Sequence, residues 1–145
     1  MAKKQILSID FRQEYDFLLI GIFCSYRDYR LCFELNRHLE LSMEKMDDLE
    51  LKLEKKGSAS LFSMFSCSND DEEHFFVISN KGTNGFFIPE MKQTDYFLMI
   101  RNASRYTTTS VLLPKIREVK LVSSCIELLP EQIKSAENFF LVEPV

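Results

Sequence analysis

A chain of 145 residues, 46% apolar and 28% charged, has the composition of one globular domain, long enough to bury a core without disulfide or metal staples. Its net charge of −4 argues against general affinity for nucleic acid, which rests on cations neutralising phosphates. Four cysteines (Cys24, Cys32, Cys67, Cys125) form no Cys-x-x-Cys pair and two histidines add no metal-ligand spacing, so reduced thiols are expected, with no metal and no cofactor.

In chain order, Gln5 to Phe11 alternates polar and apolar positions and predicts a first strand, followed by a turn over Gln13 to Asp16. Phe17 to Phe23 is short, apolar and rich in β-formers, which favours a buried strand; it is far below the ~20 residues that span a bilayer. No membrane segment is expected. The opening Met1-Ala2-Lys3-Lys4 shows no secretion signal, so the expected location is cytoplasmic. Ser25-x-x-Asp28 has the form of a capping box and predicts a helix from about Tyr26 to His38, with Leu31, Cys32, Leu35 and Leu39 on its apolar arc. Arg30, Phe33 and Arg37 face elsewhere and mix cations with an aromatic ring, a candidate surface for a protein partner; a helix packed on two sides is the plainer account of Phe33.

From Leu39 to Lys56 two strands turning at Asp47-Asp48 are predicted, because a helix would leave Leu41 and Leu51 off its stripe. Leu61 to Ser66 and His74 to Asn80 read as strands joined by a polar run ending Asp70-Asp71-Glu72-Glu73, which is expected to be a solvated hairpin tip rather than a cation loop. Asn84-Gly85 predicts a second hairpin returning through Phe86 to Ile88. Pro89 then ends that strand and opens a turn. Asp95 to Ile100 should be central, since Tyr96, Leu98 and Ile100 point one way and Phe97 and Met99 the other, so both faces ask for cover. A helix opening among Thr107 to Ser110, with Pro114 in its first turn or so, should lead to a strand over 120–128. Strand, helix and strand then form a βαβ unit with the two strands parallel in one sheet. Leu129-Pro130 should start a terminal helix running to about Asn138, with Phe139 to Leu141 pinning the chain end. The fold class is α+β: a single domain over 1–145, a mixed and mostly antiparallel sheet, a C-terminal βαβ unit and about three helices.

Ile88-Pro89-Glu90 followed by Asp95-Tyr96-Phe97-Leu98 resembles the signature of the IPExxVDY family, small bacterial proteins without an assigned biochemical role. Four residues separate Glu90 from Asp95 where the family name spells three, and Thr94 stands at the valine position. The resemblance extends to the length and the order of segments, and it carries no catalytic residues.

Charge is unevenly placed, with a net −6 over residues 40–80 and a net +4 over 91–120. In the βαβ reading Arg101, Arg105 and the helix start at Thr108 to Ser110 converge beyond a central strand, a candidate anion site. Asp95 to Leu128 also looks like half of an amino-acid-binding module of the ACT or Lrp type, without the glycine that usually follows its first strand. No nucleophile–base pair, phosphate loop or separated carboxylate pair is found, so an enzyme is the minority reading. A non-enzymatic protein-interaction module is expected first, and a sensor of a small anionic ligand second. The sequence assigns no oligomeric state.

Overall fold

The structure, a computed structural model, describes residues 15–52 and 58–143. The strand expected over Gln5 to Phe11 lies outside the described residues. Six strands make the main sheet: β1 (Phe17–Phe23), β2 (Glu44–Lys45), β5 (Met64–Ser68), β6 (His74–Ser79), β9 (Tyr96–Arg101) and β10 (Ser124–Leu128), in the order β10-β1-β9-β6-β5-β2. Each neighbouring pair is antiparallel. Two ribbons accompany it, one of β3 (Leu49–Lys52) with β4 (Ala59–Phe62), the other of β7 (Lys81–Gly82) with β8 (Gly85–Phe86). The α-helices among the described residues are α1 (Asp28–Leu39) and α2 (Thr109–Arg117). The class is α+β, as the alternation and spacing predict.

β9 is apolar on both faces because it is covered on both. Tyr96, Leu98 and Ile100 join Leu31 and Leu35 of α1 and Leu112 and Ile116 of α2 in one core. Phe97 and Met99 join Phe62, Phe87, Ile88 and Phe139 in the other. Phe139 is fully buried, its ring edge-on to Phe87 and to Phe97 at 5.3 Å each. This gives three layers: helices, main sheet, and a layer of ribbons and C-terminal chain.

The expected βαβ unit is β9, α2 and β10. Its two strands run the same way since each is antiparallel to β1, which lies between them and separates them. The strands of residues 39–56 exist but do not pair with each other: β2 joins β5 and β3 joins β4. The expected hairpin is therefore replaced by a distant pairing of β2 and a hairpin of β3 with the next strand, β4, which alternation alone cannot distinguish. Pro114 is the sixth residue of α2 rather than in its first turn, so the helix lacks one N–H toward Ser110. The C-terminal stretch forms two 3₁₀ turns, Pro130–Gln132 and Ala136–Leu141, in place of a continuous helix. The second hairpin turns on Thr83-Asn84, one residue before the expected Asn84-Gly85, with Gly85 at φ 132°.

Candidate functional site

The motif residues are fasteners of the fold. Ile88 is fully buried, and Pro89 starts a 3₁₀ turn, Pro89–Met91, where a missing N–H costs nothing. Glu90 reaches across to the C-terminal chain and accepts from the Ser135 amide at 2.6 Å and its hydroxyl at 2.8 Å. Burial pushes the Glu90 carboxyl up, yet these bonds and the Lys134 charge hold it below the ordinary range. Asp95 accepts from the Cys24 amide at 2.7 Å, and the Tyr96 phenol donates to the Tyr26 carbonyl at 2.6 Å. The pair thus fixes the loop that leads from β1 into α1. Burial, then the negative charge of neighbours including Asp28 and Asp95, drives the Tyr96 phenol well up.

Asn80, which no motif marks, holds this turn from within. It is fully buried; its Nδ2 donates to the carbonyls of Met91 and Thr94, each at 2.8 Å, and its Oδ1 accepts from the Ile88 amide at 2.8 Å.

The anion-site residues are not brought to one point. Arg101 shares the parity of Phe97 and Met99, so it lies on the sheet face away from α2. There its Nη2 donates to the Phe139 carbonyl at 3.3 Å and its guanidinium sits 5.9 Å from the Phe17 ring centre. Arg105 is exposed and lies over its neighbour Tyr106 at 5.0 Å. Thr108 spends its hydroxyl oxygen on the Val111 amide as the cap of α2, and Ser110 is exposed in the first turn.

The loop before α2 already holds an anion, Glu73. Expected to be solvated, it is only 3% exposed and accepts from the Ser104 amide at 2.8 Å and the Asn69 amide group at 2.9 Å. Burial raises its carboxyl, but bonds from Thr107, Ser104 and Asn69 outweigh that and hold it below the ordinary range. The rest of the acidic run, Asp70 to Glu72, is exposed as predicted.

Helix α1 is where sequence and structure meet on a surface. Its buried arc is Leu31, Cys32 and Leu35, packed on the sheet. The N-cap is Arg27 with no side-chain bond, so the Ser25 capping box is not formed. Asp28 turns instead to the Ser63 hydroxyl and to the Tyr29 amide. On the outer arc Phe33 is 62% exposed and Tyr29 58%, and Tyr26, in the loop just before the helix, is 42% exposed. Phe33 is therefore not packed on a second side. Arg30 lies over the Tyr26 ring at 4.8 Å and Arg37 over Phe33 at 5.9 Å, so Arg30, Phe33 and Arg37 form one face with the two tyrosines.

A cleft of about 490 Å³ opens beside the start of this helix. One wall carries Asp95, Tyr96 and the Cys24 to Tyr26 loop, the other Lys81 to Thr83. Among the described residues no group of His, Cys, Asp or Glu could hold a metal ion, and no helix is long and apolar enough to cross a membrane. Compared with known proteins, the chain matches no family model, no curated sequence and no solved structure.

Proposed function

We propose that this chain is a non-enzymatic, cytoplasmic interaction module of the IPExxVDY family, and that the outer face of α1 binds a protein partner. The observation that carries the reading is the exposure of Tyr26, Tyr29 and Phe33 together, interleaved with Arg30 and Arg37. Aromatic and arginine side chains are the types enriched where binding energy concentrates. Arginines already resting on rings lose less freedom on binding than free ones, which favours a preorganised contact. The family assignment is supported by the way Ile88, Pro89, Glu90, Asp95 and Tyr96 act together on one turn and its neighbours. Binding of a small anionic ligand at Arg101, Arg105, Thr108 and Ser110 stands second, with less support because Glu73 already uses the Ser104 amide of that loop.

The test is comparative capture from lysate of the protein's own cells, using wild type, a Tyr29→Ser/Phe33→Ser variant, and Ile126→Ser as an exposed apolar change elsewhere. A stoichiometric partner held by wild type and Ile126→Ser but lost from the α1 variant supports the reading. Equal retention by all three refutes it.

A further inference from the structure

We propose that the 490 Å³ cleft binds a small dipolar molecule, with an ammonium group held at Asp95 and a carboxylate at Lys81. Both walls are fixed before any ligand arrives, as is usual for small-molecule sites. The hairpin wall is locked on β4: the Thr83 amide donates to the Leu61 carbonyl at 3.1 Å, and the Thr83 hydroxyl accepts from the Leu61 amide at 2.9 Å. Gly82 makes that approach possible, because a Cβ there would stand 2.5 Å from the Phe62 ring and from the Ser60 hydroxyl. The opposite wall is locked by the bonds of Asp95 to the Cys24 amide and of Tyr96 to the Tyr26 carbonyl.

The walls differ in polarity. Lys81 has no ion-pair partner among the described residues, and the Thr83 hydroxyl, having accepted from Leu61, keeps its proton to donate. Asp95 likewise has no ion-pair partner, and the Tyr96 oxygen, having donated its proton, keeps acceptor capacity. One wall is thus a donor pole and the other an acceptor pole. The remaining charge on the rim, Asp48, is neutralised by Lys45 at 2.7 Å. Asp95 and Lys81 line the same cleft without pairing with each other, so a ligand that satisfies both carries opposite charges at its two ends. Tyr26 borders both the cleft and the partner-binding face, but the inference uses only its backbone carbonyl and does not rest on the proposed partner-binding function.

The probes are amino acids of graded length, from glycine through β-alanine and aminobutyrate to aminohexanoate, each with its N-acetyl and amide derivatives. Thermal melting and amide resonances of the full chain are followed at millimolar ligand. One length should raise the melting temperature and shift the Lys81, Thr83 and Asp95 signals, and blocking either end should weaken binding about tenfold, the loss of one directed ion pair. Lys81→Met should abolish the preference for carboxylate over amide. Asp95→Asn, which keeps an acceptor for the Cys24 amide, should abolish the preference for ammonium over N-acetyl. The proposal is overturned if no member of the series binds wild type, or if blocked and unblocked ligands bind alike.

Discussion

Asn80 shows how much a single buried amide can decide. Three of its side-chain bonds tie the turn that carries Ile88 to Asp95, and removing them strands the Ile88 amide and the Thr94 carbonyl in the interior, while the Met91 carbonyl keeps only the Thr94 amide. Asn80→Ala should therefore cost about 3 kcal/mol or more in denaturant unfolding, the range for orphaned buried polar groups. A loss within the ordinary surface range would mean that the turn does not depend on it. Glu73 acts by charge. Its carboxyl titrates below the unfolded value, so the stabilisation is complete above that value and is lost as pH falls through the folded one. Glu73→Gln should flatten the acid limb of stability against pH, and an unchanged limb would contradict the assignment. Neither residue was legible in advance: Asn80 closes a predicted strand like any polar strand end, and Glu73 is one of four adjacent acids, of which only burial picks one out. The expected convergence of Arg101 with the start of α2 overlooked a signal already present, since the alternation that separates Phe97 and Met99 from Leu98 also sends Arg101 away from the helix layer.

Among elements, β1, α1, β9 and the parallel relation of β9 to β10 follow from local pattern, because period and apolar content mark a strand or helix wherever it packs. Pairing partners do not follow in the same way. Leu49 to Lys52 alternates as any half-buried strand does, and only β4, beyond an intervening segment, gives it a mate. Helix α2 retains a visible flaw in Pro114, exposed at the sixth position. Because proline removes a helical N–H and crowds the carbonyl four residues back, Pro114→Ala should stabilise the protein by about 1–2 kcal/mol, partly offset by the freer unfolded chain. A lowered denaturation midpoint would show that the proline itself is needed where α2 packs on β10.

At the scale of the molecule, the sheet separates two roles. The layer of ribbons and C-terminal chain is closed by Phe139 and clamped by Glu90, whereas the helix layer leaves the aromatic arc of α1 open. Against Phe62, Phe76, Phe87, Phe97 and Phe139, all below 2% exposure, Phe33 at 62% stands out, as the proposed partner-binding face requires. The most direct measurement is crosslinking from a photo-activatable residue placed at Phe33, compared with one placed at Ile126 on the edge strand β10. The account predicts a single protein adduct from the α1 position and none shared with the edge strand. No adduct at Phe33, or the same set of adducts from both positions, would contradict it.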